Sequence, residues 1–285
     1  PPIAISAARA ALALAAAAVT VVWRRAIVVS AIVLVALGFT TVFQCAYWKD
    51  SLTLWNRVLE LTPPATVSLN NRGDAREERG DLNGAREDFA AAIKLNPKSA
   101  ESLTNLAQLM QRSGELKQAM ALCSLAISFR PDHSRAYAVR ALCRDGEGDL
   151  VGALADFDEA IRLSAFNAFL YDARSSSRRK KGDWNGALAD LNESLKLNPQ
   201  NASTYVNRGL LKTEKKDFDG AVADFTEAVR YAPTNAVAYF NRGLARQTIG
   251  EPGGAISDLT LALRLDPKNP SIWIARARVR LLTGD

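Results

Sequence analysis

Five arginines each stand sixteen residues ahead of an aspartate: Arg72 and Asp88, Arg140 and Asp156, Arg174 and Asp190, Arg208 and Asp224, Arg242 and Asp258. A guanidinium facing a carboxylate can form a bidentate ion pair, which fixes helix register and transfers no group. Between the first and second pairs the same frame carries Leu106 and Leu122 instead of both charges. A joint exchange of this kind implies contact, because removing one partner alone strands a partly buried charge. Other reactive side chains are sparse. Cys45, Cys123 and Cys143 show no CxxC spacing, and His133 is the only histidine, so the sequence implies no metal site and no cofactor. Cys123 and Cys143 read as small buried hydrophobes, with a disulfide between them as the lesser alternative. There is no phosphate-cradling glycine loop, no nucleophile elbow and no carboxylate pair outside the regular frame, so no catalytic residue is assigned and no small-molecule substrate is expected.

The elements that must carry these pairs follow from a 34-residue period. Prolines recur in one frame at Pro63, Pro97, Pro131, Pro199, Pro233 and Pro267, with Ala165 in the gap. Glycines recur at Gly80, Gly114, Gly148, Gly182, Gly250 and Gly284, with Lys216 as the exception. Between them small residues (Ala85, Ala119, Ala153, Ala187, Ala221, Ala255) precede larger ones four positions on (Phe89, Cys123, Phe157, Leu191, Phe225, Leu259). Each unit therefore predicts two helices of about a dozen residues, divided by a glycine turn and closed by proline. One such pair cannot bury its apolar stripe alone, so the pairs must stack.

The pattern resembles the tetratricopeptide repeat, on Tyr205, Gly209, Ala221, Phe225, Ala228 and Pro233 in the cleanest copy and on Tyr239, Gly243, Ala255, Leu259, Ala262 and Pro267 in the next. The resemblance implies an all-α, right-handed superhelical solenoid of antiparallel helix pairs that binds a protein or peptide. Six full repeats plus the first helix of a seventh are expected over residues 66–285. Residues 49–65 hold a half-repeat helix, since Ser51, Trp55, Val58 and Pro63 fall on its small, large, small and proline positions.

The N-terminal 48 residues differ in kind: Arg9, Arg24 and Arg25 are their only charges. Ala26 to Trp48 runs uncharged for 23 residues and ends in Tyr47-Trp48, long enough to cross roughly 30 Å of hydrocarbon. The reading is one or two transmembrane helices, the main span at 26–48, with residues 10–23 as a second candidate. Arg24-Arg25 at its N-terminal edge place the repeats on the non-cytoplasmic side; a signal peptide is the rival reading. Tyr47-Trp48-Lys49-Asp50-Ser51 and Leu54-Trp55, running into repeats, resemble the last membrane helix and linker of protein O-mannosyltransferase-type glycosyltransferases with C-terminal repeats. That resemblance implies an alternative, an accessory region of a multi-spanning enzyme whose catalytic loops lie upstream.

Net charge is +6, but three positive charges belong to the membrane segment, so the nearly balanced body does not favour nucleic acid. A partner would meet the row along each first helix: Asn70, Asp74, Glu77; Thr104, Gln108, Gln111; Ala138, Leu142, Asp145; Asp172, Ser176, Arg179; Val206, Leu210, Thr213; Phe240, Leu244, Gln247. Phe169, Arg179, Val206, Leu210, Phe240 and Leu244 are the expected partner-binding residues, the apolar ones as an anchor patch. The alternative for these apolar residues is packing between adjacent first helices. Arg178-Arg179-Lys180-Lys181 could clamp an acidic segment or simply form a solvated helix end. His133, in a turn, reads as exposed.

Overall fold

A computed structural model describes residues 50–284. The predicted spans at 26–48 and 10–23 lie outside these residues, and among the described residues no helix is long and apolar enough to cross a membrane. The described residues form fourteen α-helices: α1 (Ser51–Leu61), α2 (Thr66–Glu78), α3 (Leu82–Leu95), α4 (Ala100–Arg112), α5 (Leu116–Phe129), α6 (Ser134–Gly146), α7 (Leu150–Leu163), α8 (Ala168–Lys180), α9 (Trp184–Leu197), α10 (Ala202–Glu214), α11 (Phe218–Tyr231), α12 (Ala236–Thr248), α13 (Pro252–Leu265) and α14 (Pro270–Thr283). The sequence predicts one array from residue 66 on; the chain divides into two compact units, the first ending at Leu95 and the second running from Asn96 to the C-terminus.

In the first unit α1 lies against α2, and α2 pairs with α3. Asp50 caps α1 through Thr53 N–H at 2.9 Å and also meets Arg79 at 2.8 Å, tying the half-repeat helix to the turn after α2. In the second unit each second helix packs against the first helix of its own repeat and the first helix of the next, from α4 and α5 through to α13 and α14. That sandwich buries the in-frame residues: Phe157, Phe225, Cys123 and Leu259 are 0% exposed and Leu191 is 2%. Burying one phenylalanine contributes about 1.5–3 kcal/mol, and the alanines one turn either side let the backbones approach. Gly209 shows how close the helices come, because a Cβ there would sit 2.7 Å from Phe225 Cε1.

The ends of the helices are equally regular. Ser99, Asn167, Asn201, Asn235 and Asn269 each cap a first helix through a side-chain oxygen. Asp81, Asp149, Asp183 and Asp217 do the same for second helices. These oxygens satisfy amide donors that have no partner inside the helix. The turn between paired helices passes through a positive φ, occupied by glycine in every complete repeat but the fifth, where Lys216 holds φ 63.

Candidate partner-binding groove and an ion-pair ladder

The five arginines meet the five aspartates with both guanidinium arms. Nε lies 2.9–3.0 Å from Oδ2 and Nη2 lies 2.5–2.8 Å from Oδ1 in each pair. Asp88, Asp156, Asp190, Asp224 and Asp258 are only 2–4% exposed, so each carboxylate depends on its partners for solvation. The hydrogen bonds to Asp88 and Asp156 hold Arg72 and Arg140 above the ordinary arginine range. A second cation, one turn further along the first helix, reaches the same aspartate: Arg76 at 3.0 Å, Arg144 at 2.9 Å, Arg178 at 3.0 Å, Lys212 at 2.8 Å and Arg246 at 2.8 Å. Arg76, Arg144, Arg178 and Lys212 also donate to the carbonyls of Gly84, Gly152, Gly186 and Gly220 at the start of the second helix.

The rung extends beyond its own repeat through the remaining arm. Nη1 of Arg140, Arg174, Arg208 and Arg242 donates to Ser124, Asp158, Asn192 and Thr226, each on the preceding second helix. The same guanidinium groups stack over Tyr137, Tyr171, Tyr205 and Tyr239, 5.4–5.6 Å from each ring centroid. One arginine thus links two stacked repeats. In repeat two Leu106, Met110 and Leu122 replace both cations and the carboxylate. Met110 and Leu122 pack on Ala107, Ala119, Cys123, Val139 and Cys143. The second cation escaped the sequence reading, although Arg76, Met110, Arg144, Arg178, Lys212 and Arg246 stand in one 34-residue frame and change in step with the pair.

The other reactive side chains serve packing or capping. Cys123 and Cys143 are free buried thiols, pushed up by burial to about 12 and about 11. His133 is not the exposed turn residue the sequence implies. It is half-buried beside Arg130, and burial followed by that charge lowers it to about 4. Among the described residues no group of three His, Cys, Asp or Glu could hold a metal.

The expected binding residues separate in the structure. Val206 is 7% exposed among Ala221, Phe225 and Ala238, which corrects its reading as a contact for a partner: the next repeat's first helix covers it. Leu210 packs on the same cluster, and Phe240 and Leu244 pack on the one containing Leu259, Ile272 and Val279. Val206 fills the seam between neighbouring first helices, while Leu210, Phe240 and Leu244 line it half-buried. Arg179 is paired with Glu214 at 3.0 Å, Arg178 belongs to the Asp190 rung, and Lys180 binds Asp145, so most of the basic run has a carboxylate already. Phe169 behaves differently and remains 55% exposed.

Phe169 borders a groove of about 790 Å³ formed by α4, α6 and α8. Gln108, Gln111 and Arg112 come from α4, Ser134, Arg135, Ala138, Val139 and Leu142 from α6, and Phe169 and Leu170 from α8. Ser164 and Asn167 close one end, in the turn where Ala165 stands instead of the recurrent proline and Phe166 is 91% exposed. Arg135 and Phe169 occupy the same position of successive repeats, 34 residues apart. Nε and Nη2 of Arg135 donate to Gln108 Oε1 at 3.1 and 2.8 Å. The groove combines an open aromatic, an apolar floor and several amides, an arrangement suited to binding.

Residues 77–143 and 207–270 match models described as tetratricopeptide repeat, and residues 176–214 match one described as TPR repeat. Among solved structures, the chain is similar to the APC/C hetero-tetramer Cut9-Hcn1 at TM-score 0.70 and 19% identity, covering 80% of this chain and 45% of that one. It therefore spans less than half of that relative's length. It is also similar to YrrB, described as a TPR protein with an unusual peptide-binding site, at TM-score 0.55 and 22% identity, covering 66% of this chain and 97% of that one. Likeness to pilF of Pseudomonas aeruginosa stands at TM-score 0.66 and 17% identity, covering 75% and 97%. Comparison with curated proteins finds no match. Paired helices in a 34-residue frame, in-frame alanines between them and these matches agree that the chain carries an array of tetratricopeptide repeats.

Proposed function

We propose that the chain is a protein-interaction scaffold that holds a peptide or protein segment in the groove between α4, α6 and α8. The observation that carries this reading is Phe169, 55% exposed at the mouth of a cavity of about 790 Å³. A large aromatic left open beside a concave surface is a feature of interaction sites, because its burial by a partner is favourable at about 25 cal/mol per Å². The fold likeness to a protein described as having a peptide-binding site supports it. The scaffold is tethered by the uncharged run 26–48 and faces away from the cytoplasm, a reading supported by Arg24 and Arg25 at the edge of that run.

Two experiments test the proposal. Full-length chain in detergent is panned against a displayed library of random nine-residue peptides, with Phe169→Ser as the counter-target. Enrichment on the wild type that is lost on the variant is expected; enrichment equal on both would remove the groove from the account. Protease added to intact cells should trim the repeats, and protection until lysis would reverse the orientation.

A further inference from the structure

Resting on that reading of the groove, we infer that its occupant is acidic: an extended segment whose bulky apolar side chain seats against Phe169 and Leu142 and whose nearby carboxylate is held by Arg135. The lining contains no aspartate or glutamate, and Arg135 brings a positive charge to it. Arg135 differs from the ladder arginines in a way that bears on binding. Arg72, Arg140, Arg174, Arg208 and Arg242 each hold a nearly buried carboxylate with two arms. Arg135 instead donates Nε and Nη2 to the neutral amide oxygen of Gln108, which fixes the planar fork without cancelling its charge. A guanidinium already oriented in a groove loses little further freedom when it takes up a carboxylate, so the charge-assisted bond is retained as affinity.

The apolar half of the recognition comes from the equivalent position of the next repeat. Phe169 offers an exposed ring, while Leu142 is half-buried and Leu170 is 1% exposed beneath it. Anchor and charge therefore lie at corresponding positions on adjacent first helices. Such a spacing selects a segment with both features and discriminates against a basic one, which Arg135 would repel. Ser164 and Asn167, either side of Ala165 where proline stands in most repeats, border the groove with a hydroxyl and an amide.

The test is the charge of the peptides that the full-length protein selects. Sequences pairing Asp or Glu with Leu, Ile, Phe or Trp should be enriched on the wild type. Arg135→Gln should weaken the best of them about tenfold, the scale of one charge-assisted hydrogen bond. Arg135→Glu should turn the preference from acidic toward Lys and Arg, a reversal that loss of folding cannot produce. Enrichment without charge bias, or an acidic bias unchanged in Arg135→Glu, would overturn the inference and leave the interaction scaffold standing. No enrichment of any peptide would overturn both.

Discussion

The ladder and the groove are both built on the first helices, yet they treat polar groups in opposite ways. Along the ladder every carboxylate is almost fully buried and met by two cations, as Asp156 is by Arg140 and Arg144. In the groove the fixed arginine faces a neutral amide and the aromatic stays open. A polar cluster that satisfies itself has little left for a partner and fixes register; a surface left incompletely satisfied is where binding energy can be gained. The same residue type, arginine, is structural in one place and available in the other because of what stands opposite it.

Breaking one rung should give the largest effect. Asp156→Ala leaves Arg140 without its carboxylate and Arg144 with only the longer contact to Asp149 at 3.8 Å, although their side chains keep 16% and 29% exposure. A loss of about 2–4 kcal/mol is expected, read as a lower urea midpoint. Replacing the whole rung should cost less than breaking it. Arg140→Leu with Arg144→Met and Asp156→Leu copies repeat two, where Leu106, Met110 and Leu122 do the same work, and about 1 kcal/mol or less should be lost. A triple variant less stable than Asp156→Ala would show that the charged and apolar rungs are not interchangeable.

A smaller change sharpens the comparison at the turn that opens the groove's middle helix. His133 precedes α6 without a side-chain cap, where five other first helices carry Ser or Asn that does cap. His133→Asn should add about 1 kcal/mol at neutral pH. Burial and Arg130 lower the folded-state pKa to about 4, below the unfolded value near 6.5, so the unfolded chain takes up this proton first. Stability from this site is complete above pH 6.5 and declines as pH falls toward 4. Urea midpoints measured across that window should fall less in His133→Asn than in the wild type.

Much of this was legible in the sequence, for a physical reason: stacking makes every unit repeat the same constraints. Proline, glycine and alanine frames mark the turns and close approaches, and the joint loss of charge at Leu106 and Leu122 points to contact. The second cation stands in the same frame through Met110, but one arginine already balances each aspartate's charge, so the frame alone does not require it. The groove was harder to read. Val206, Leu210, Phe240 and Leu244 form a stripe on the expected face, but a stripe does not tell how far the neighbouring first helix covers it: here Val206 is buried and the other three are half-buried. Phe169 stays open while Leu170, the next residue, is buried, a distinction set by packing between repeats and not by residue type.

The separation of holding from binding is tested most directly by measuring urea unfolding and affinity for one selected peptide in parallel, on Phe169→Ser and on Asp156→Ala. Phe169→Ser should reduce affinity at least tenfold while its midpoint stays within about 0.5 kcal/mol of the wild type, as expected for an exposed position. Asp156→Ala should lower the midpoint and, in the absence of urea where it remains folded, bind within about twofold of the wild type. If Phe169→Ser instead lowers the midpoint as far as Asp156→Ala does, or if folded Asp156→Ala no longer binds, then ladder and groove are one system and the account fails.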